Sequence, residues 1–264
     1  MAHIDCSFYS ASLKRNTHMI VFLPSMSVDD YLGEREVSYY DKNKKYPVLY
    51  LLHGSYGDCM DWCRNTGIER YAQEKQIAVV MPSGENSSYL DLAYGERFLT
   101  FIGKELPEFM KEMFPISEKR EDTYIAGLSM GGYGAYRIGL EYPETFGYVA
   151  ALSGGMDRAK ILNSEPHVRK MPANYRAAIF KEGEDIAETR NDLITLLKEQ
   201  LEAGVTLPKL YMNCGTEDSV YSLTENFYEK ASALGVPVVY EKFPGEHNWD
   251  FWDAHIKDVL NWLP

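Results

Sequence analysis

The sequence contains no run that approaches about 18 uninterrupted apolar residues, the length a helix needs to cross a bilayer. Its opening residues, Met1-Ala2-His3-Ile4-Asp5-Cys6, carry neither the basic segment nor the apolar segment of a secretory signal. Cysteine is scarce, with four in 264 residues, and the Cys59-x-x-x-Cys63 pair has no further ligands at zinc-site spacing. These absences predict a soluble, cytoplasmic protein with free thiols and no metal.

An excess of basic charge is also missing. Lysine and arginine total 27 against 39 aspartate and glutamate, which gives a net charge of −12. Nucleic acid and anionic membranes are therefore excluded as expected partners. The short basic cluster at 42–45 precedes an apolar run and is predicted to be a solvated turn. The sequence does not define the oligomeric state, and a homo-oligomer stays an open alternative.

The chain has no internal repeat, low-complexity tract or linker, and its length suits one large domain better than two small ones. A single domain over 1–264 is expected. The first quarter has two β-like runs, at 3–13 and 17–23, which look like an antiparallel edge. After Pro47, strand-like and helix-like segments alternate, which predicts a mostly parallel sheet with helices on both faces. The later strands are expected at 48–52, 77–81, 124–126, 148–152, 210–212 and 236–240. The helices are expected at 68–76, 95–114, 132–141, 191–203, 223–234 and 251–262.

One segment, at about 156–189, has charges and loop-forming residues without a clear period. Insertions of this kind after a strand often cover an active site, so a lid is one expectation. A surface excursion with short helices and no catalytic role is the alternative.

The most informative stretch is Gly127-Leu128-Ser129-Met130-Gly131, which lies between an apolar run and a helix-like segment. In a G-x-S-x-G elbow the serine occupies a strained turn, and the flanking glycines remove Cβ atoms where strand and helix pass closely. The helix N-terminus then supplies N–H donors for the negative charge that develops in acyl transfer. The alternative is a glycine-rich turn that only packs well or binds an anion.

A serine hydroxyl needs a base and, usually, a carboxylate that orients the base. In the order serine, acid, histidine, only His247 lies in a loop after the last strand, whereas His255 falls within an amphipathic helix and His167 precedes any plausible acid. Two carboxylates, Glu217 and Asp218, follow the strand at 210–212. Spacing does not choose between them, and the unused one is expected to cap a helix.

An oxyanion hole in this architecture pairs the N–H after the nucleophile with one from the loop after an early strand. Met130 supplies the first, and the Ser55 N–H is the candidate for the second, with Gly54 allowing close approach of the backbone. The alternative is that His53-Gly54 only ends a strand. The aromatic residues Trp62, Tyr89 and Trp249 are candidate pocket walls, although such residues also serve as core packing.

Together these residues resemble the esterase D-like branch of the α/β-hydrolases, and most closely the bacterial tributyrin esterases. The resemblance spans most of the chain and rests on Leu51-Leu52-His53-Gly54, Asp61-Trp62, Ile68-Glu69-Arg70-Tyr71-Ala72, Ala78-Val79-Val80-Met81-Pro82, Gly127-Leu128-Ser129-Met130-Gly131-Gly132-Tyr133-Gly134-Ala135, Gly215-Thr216-Glu217-Asp218 and His247-Asn248-Trp249. The stretch Asn86-Ser87-Ser88-Tyr89-Leu90-Asp91 differs where many relatives carry an aromatic followed by Tyr-Thr-Asp.

The resemblance implies an α/β-hydrolase fold, Ser129 as nucleophile, Asp218 as acid and His247 as base. It also implies hydrolysis of short-chain carboxylic esters, acetyl to butyryl, without a cofactor, with a small-molecule ester as the partner. Related activities are hydroxycinnamoyl (feruloyl) esterase, acetyl-xylan esterase and S-formylglutathione hydrolase. Acyl transfer or thioester hydrolysis by the same three residues is a second hypothesis, and a catalytically silent member that binds an ester or a protein is a third.

Overall fold

An eight-stranded sheet organises the computed structural model, which describes residues 1–33, 41, 43–157, 178, 179, 186 and 189–264. The strand order in the sheet is β1-β2-β4-β3-β5-β6-β7-β8. The strands are β1 (Ala2–Ser10), β2 (Arg15–Leu23), β3 (Val48–Leu52), β4 (Ala78–Pro82), β5 (Thr123–Leu128), β6 (Tyr148–Leu152), β7 (Lys209–Gly215) and β8 (Val238–Phe243).

The sheet is parallel from β4 to β8, and β1 and β2 form an antiparallel edge. This confirms the predicted fold class. The central strands are buried on both faces, so they read as continuous apolar runs. In β3, Val48, Tyr50 and Leu52 pack on one side of the sheet, while Leu49 and Leu51 pack on the other, because alternate side chains point to opposite faces.

Helices cover both faces. They are α1 (Val28–Leu32), α2 (Asp61–Asn65), α3 (Ile68–Lys75), α4 (Phe98–Thr100), α5 (Leu106–Met113), α6 (Met130–Glu141), α7 (Leu193–Glu202), α8 (Tyr221–Ala233) and α9 (Trp249–Trp262), with a π-helical turn at Phe101–Glu105 between α4 and α5. Helices α5 to α8 contribute to one core cluster. Helices α2, α3 and α9 contribute to the other. Because both clusters pack on the same sheet, we propose that the chain is a single domain. Its secondary and tertiary structure should then unfold in one coincident transition.

The carboxylate of Glu105 holds the turn of the antiparallel edge. It accepts hydrogen bonds from the Ala11 N–H at 2.7 Å and from the Ser12 N–H and the Ser10 hydroxyl, both at 2.9 Å. Burial alone would raise the pKa of Glu105, but these donors outweigh it, so the pKa lies below its usual value. The π-helical turn that ends at Glu105 thus ties the β1–β2 hairpin to the helical layer.

The predicted boundaries differ from the structure at the ends of strands and helices, and the single helix expected at 95–114 is instead α4, the π-helical turn and α5. The run expected from 236 begins as β8 only at Val238, because the Val236 N–H still bonds to the Ala231 carbonyl at the end of α8. Helices α1 and α2 were not predicted from the sequence. Most of the segment at 156–189 and Lys42 of the basic cluster lie outside the described residues. In the part of the chain that is described, no helix is long and apolar enough to cross a membrane.

Candidate functional site

Ser129 lies between β5 and α6 in a backbone conformation that residues other than glycine rarely adopt, with φ 52° and ψ −114°. Such strain costs about 1–3 kcal/mol and persists only where the surroundings fix it. Here the Ser129 N–H donates to the Leu152 carbonyl at 2.9 Å, and the Ser129 carbonyl accepts N–H bonds from Gly132, Tyr133 and Gly155. The predicted strand-to-helix elbow is therefore present.

Glycines let the elbow pass close to the end of β3. A Cβ on Gly131 would lie 2.6 Å from the carbonyl oxygens of Leu52 and His53, a distance that real contacts essentially never show. A Cβ on Gly54 would lie 2.6 Å from Leu128 Cδ1 and 3.6 Å from Ser129 Cβ. The loop after β3 consequently runs directly against the serine.

His247 meets Ser129 across 118 residues of sequence, with His247 Nε2 2.9 Å from Ser129 Oγ. The histidine belongs to the loop between β8 and α9, which Asn248 joins to the helix by accepting the Phe251 N–H at 3.0 Å. Trp252 on the first turns of α9 stands edge-on to the imidazole at a centroid distance of 5.0 Å. The order of elements that selected His247 in the sequence thus corresponds to a direct contact.

The carboxylate that contacts His247 is Asp218, not Glu217. Both oxygens of Asp218 lie 2.9 Å from His247 Nδ1, and the Val220 N–H donates to Oδ1 at 2.8 Å. Glu217 instead accepts the Gly245 N–H at 2.6 Å. Its own N–H donates to the Gly245 carbonyl, so this residue joins the loop after β7 to the loop that carries His247.

The electrostatics of the pair suit an orienting acid. The Asp218 side chain has no exposed surface, whereas the His247 side chain is 26 % exposed. Burial alone would raise the pKa of Asp218, but the hydrogen bond and charge of His247, followed by the Val220 N–H and the Ser153 hydroxyl, hold it below the usual value of 3.8. Asp218 is therefore ionised at neutral pH and fixes the His247 tautomer with the proton on Nδ1.

Ser153 and Trp252 complete the surroundings of Asp218, and neither was predicted from the sequence as a site residue. Ser153 is fully buried and also has a positive φ, 49°. Its hydroxyl accepts the Trp252 indole N–H at 3.1 Å, and its N–H donates to the Asn213 carbonyl at 2.9 Å. A strained non-glycine residue directly after β6 leaves no signal in a single sequence.

Two backbone N–H groups are free to receive an oxyanion. Met130 is the first residue of α6, so its N–H has no acceptor within the helix. The Ser55 N–H likewise has no acceptor among the described residues. Met130 follows Ser129 directly in the elbow. Ser55 follows Gly54, which packs against Ser129. Their use as an oxyanion hole stays a prediction.

His53 and Tyr89 lie beneath the loop that carries Ser55. The His53 ring is buried, with Nδ1 2.7 Å from the Gly54 carbonyl oxygen, and its Nε2 accepts the Gly84 N–H at 2.8 Å. The Tyr89 hydroxyl donates to the His53 carbonyl at 2.9 Å. Burial lowers the pKa of His53, although the Gly54 carbonyl and nearby carboxylates oppose the shift.

The three candidate pocket walls differ. Trp62 is 1 % exposed, and its indole N–H donates to the Leu52 carbonyl at 3.1 Å. Tyr89 is fully buried against Gly84 and Gly134. Both are core residues beneath the site rather than pocket walls, because their side chains have almost no exposed surface and their polar atoms bond to buried carbonyls. Trp249 is partly exposed and packs edge-on against Trp62 at 5.4 Å, so its role in the pocket stays a prediction.

The arrangement can carry out nucleophilic chemistry. A hydroxyl in a strained turn, an imidazole with Nε2 toward that hydroxyl, and a buried carboxylate at Nδ1 of the imidazole form a continuous hydrogen-bond chain. The N–H groups of Met130 and Ser55, for which the described residues supply no acceptor, can stabilise a developing negative charge. In the described part of the chain, no three His, Cys, Asp or Glu side chains are arranged to hold a metal ion.

Comparisons with known proteins agree with this chemistry. A family model described as "Putative esterase" matches residues 10–263. The acetyl esterase of Caldicellulosiruptor saccharolyticus is 36 % identical over 266 residues, which cover 100 % of this chain and 98 % of that protein.

Two solved structures from Staphylococcus aureus are similar along the whole chain. The fluorophosphonate-binding serine hydrolase F has a TM-score of 0.88 and 29 % identity, and covers 99 % of this chain and 98 % of its own. The S-formylglutathione hydrolase has a TM-score of 0.84 and 30 % identity, with the same coverage. The sheet and its helices therefore have the α/β-hydrolase architecture.

Proposed function

The chain belongs to the esterase family whose model matches residues 10–263, and we propose that it hydrolyses short-chain acyl esters, acetyl to butyryl, through an acyl-enzyme on Ser129. The family match and the acetyl esterase relative show that the chain is a carboxylic ester hydrolase. The observation that carries the mechanism is the 2.9 Å separation of Ser129 Oγ and His247 Nε2.

In the acylation step, His247 Nε2 removes the proton of the Ser129 hydroxyl as Oγ attacks the ester carbonyl. The imidazolium that forms is stabilised by the ionised Asp218, which holds both oxygens 2.9 Å from Nδ1. The carbonyl oxygen becomes an oxyanion and accepts the N–H groups of Met130 and Ser55, each worth about 10²–10³ in rate. His247 then protonates the departing alkoxide.

In the deacylation step, water replaces the alcohol. His247 removes a proton from the water, the hydroxide attacks the acyl carbonyl, and the collapse of the second tetrahedral intermediate returns the proton to Ser129 Oγ and releases the carboxylic acid. Every group in this sequence belongs to the chain, the substrate or water. A small-molecule ester is thus the proposed partner, and no cofactor enters the scheme.

The short acyl chain is supported by the acetyl esterase relative at 36 % identity over the whole chain. A second candidate is thioester hydrolysis, favoured by the similarity to the S-formylglutathione hydrolase at 30 % identity. The same three side chains serve both reactions, since only the leaving group differs.

The test compares wild type with Ser129→Ala on p-nitrophenyl esters of increasing acyl length and on matched acyl thioesters. The variant is expected to fold normally and lose at least about 10⁴-fold in kcat. Wild type is expected to react fastest with acetyl to butyryl oxygen esters. Retained activity in Ser129→Ala would overturn the nucleophile. A preference for thioesters, or for longer acyl chains, would overturn the proposed substrate class and leave the nucleophile in place.

A further inference from the structure

We propose that His53 is a positioning residue for the oxyanion hole: it orients and polarises the peptide whose N–H is the Ser55 donor, through a relay from Gly84 N–H to the imidazole to the Gly54 carbonyl. The inference rests on the proposed function, because it concerns the transition state of ester hydrolysis. His53 itself lies beneath the loop and reaches no substrate.

A peptide bond links the Gly54 carbonyl to the Ser55 N–H. The Gly54 carbonyl and the Ser55 N–H belong to one peptide unit, which is planar and trans. A donor that fixes the direction of the carbonyl therefore fixes the opposite direction of the N–H. His53 Nδ1 lies 2.7 Å from that carbonyl oxygen. The Gly57 N–H also reaches it, at 3.3 Å, as the longer bond.

The hydrogen bond from Gly84 fixes the tautomer of His53. A backbone N–H can only donate, so the Gly84 N–H at 2.8 Å requires a lone pair on Nε2. The ring proton is then on Nδ1, where it donates to the Gly54 carbonyl. Gly84, in the loop after β4, consequently selects the tautomer that supports the loop after β3.

Burial also affects the protonation state of the His53 ring. His53 is 1 % exposed, and this burial lowers its pKa, although the Gly54 carbonyl, Asp61, Asp58 and Glu85 act in the opposite direction. The neutral ring keeps the Nε2 lone pair that the Gly84 N–H needs. A hydrogen bond accepted at an amide oxygen also polarises the amide, so its N–H becomes a stronger donor.

The chain also fixes His53 through its own backbone. The Tyr89 hydroxyl donates to the His53 carbonyl. Gly131 approaches the same carbonyl so closely that no side chain would fit. A Cβ on Gly57 would overlap Asp61 Oδ2 and lie 3.2 Å from His53 Nδ1, so glycine is also needed there. The relay thus lies under Ser55, where the loops after β3 and β4 meet the first turn of α6.

Two variants separate a relay from simple anchoring. In His53→Asn the side-chain amide can replace Nδ1 and donate to the Gly54 carbonyl, but it does not reach Gly84. In His53→Gln the side-chain carbonyl can replace Nε2 and accept the Gly84 N–H, but the donor to Gly54 is lost. The relay predicts that Asn keeps kcat within about 10-fold of wild type, whereas Gln loses about 30–100-fold, with KM for p-nitrophenyl acetate changed less than about threefold in both.

A thionoester substrate isolates the oxyanion contribution, because sulfur is a weak hydrogen-bond acceptor and gains little from the Ser55 N–H. The Gln variant should therefore lose less on the thionoester than on the matched oxygen ester. Equal losses in the two variants, losses that only follow thermal stability, or an equal loss on both substrates would overturn the relay.

A measurement on wild type needs no variant to fold. In ¹⁵N-labelled protein, the Gly84 amide nitrogen should show a scalar coupling across the hydrogen bond to His53 Nε2, and the ring proton should be on Nδ1. A proton on Nε2, or a ring that titrates at its ordinary pKa, would overturn the proposal. Absence of ester hydrolysis by wild type would instead refute the proposed function, and this spectrum would still decide the tautomer.

Discussion

At the scale of single residues, the sequence predicted the nucleophile and the base of the site but left two candidates for the acid. The G-x-S-x-G spacing and the order of elements predicted Ser129 and His247, because both signals follow from where a parallel sheet brings its loops. Spacing could not distinguish Glu217 from Asp218, since both carboxylates follow the same strand at adjacent positions. Their hydrogen bonds separate them, with Asp218 on His247 and Glu217 on the Gly245 N–H.

Asp218→Asn is expected to lower kcat on p-nitrophenyl acetate by about 10⁴-fold. The amide would present a donor to His247 Nδ1 or leave it without a charged partner, so the tautomer with a free Nε2 lone pair toward Ser129 would lose its support. Steady-state kinetics at pH 7.5 measure the effect.

Glu217→Gln is the matched control, since it neutralises the neighbouring carboxylate. It should change kcat by no more than a few fold, because Glu217 contacts the loop backbone rather than His247. A larger loss in Glu217→Gln than in Asp218→Asn would contradict the assignment of the acid.

At the scale of secondary-structure elements, periodicity predicted most strands and helices, but it could not predict short helices or strained turns. The continuous apolar runs of β3 and β6 were located to the residue because strands buried on both faces are apolar throughout. The short helices α1 and α2 were missed because five residues contain too little period to detect. Positive φ values at Ser129 and Ser153 are imposed by packing, so no local preference signals them.

Gly131→Ala is expected to destabilise the protein by about 1–3 kcal/mol, although alanine is the better helix former. The added methyl would meet the Leu52 and His53 carbonyls at 2.6 Å, and backbone atoms cannot move aside as a flexible side chain can. The displacement would act on the loop that holds Ser55, so kcat should fall as well. Urea unfolding and ester kinetics measure the two effects.

Gly204→Ala provides the comparison, because a Cβ there meets nothing within 4 Å and only its φ of 67° opposes the side chain. This variant should lose some stability and keep full activity. If Gly131→Ala also kept full activity, the contact between α6 and the loop after β3 would have no bearing on catalysis.

At the scale of the whole molecule, the sheet order explains why residues 118 positions apart in sequence can meet. Parallel strands β3, β5, β7 and β8 all end at the same edge, and the loops after them carry Ser55, Ser129, Asp218 and His247. The alternation of strands and helices after Pro47 predicted the parallel sheet, and the two β-like runs before it predicted the antiparallel edge. It could not predict that Trp62 and Tyr89 lie in the core, because exposure depends on which elements pack above them.

Acid should weaken the fold partly through His53. Its pKa is lowered in the folded protein from the ordinary value of 6.5, so below pH 6.5 the unfolded chain binds a proton that the folded one does not. The free energy of unfolding should therefore fall as pH drops from 6.5 toward the lowered pKa, by at most about 1.4 kcal/mol per pH unit from this group. Urea titrations of wild type and His53→Asn between pH 5 and 7.5 measure it. The variant should lack this part of the slope, and parallel curves would contradict the buried, neutral ring.

The most direct test of the account is the mass of the peptide that contains Ser129 after wild-type protein is quenched in acid during turnover of p-nitrophenyl acetate. The leaving group is so good that acylation should outrun deacylation, and the acyl-enzyme should accumulate. We predict one acetyl group on that peptide, localised to Ser129. Recovery of the acetyl group on another residue, or turnover with Ser129 unmodified throughout, would contradict the account.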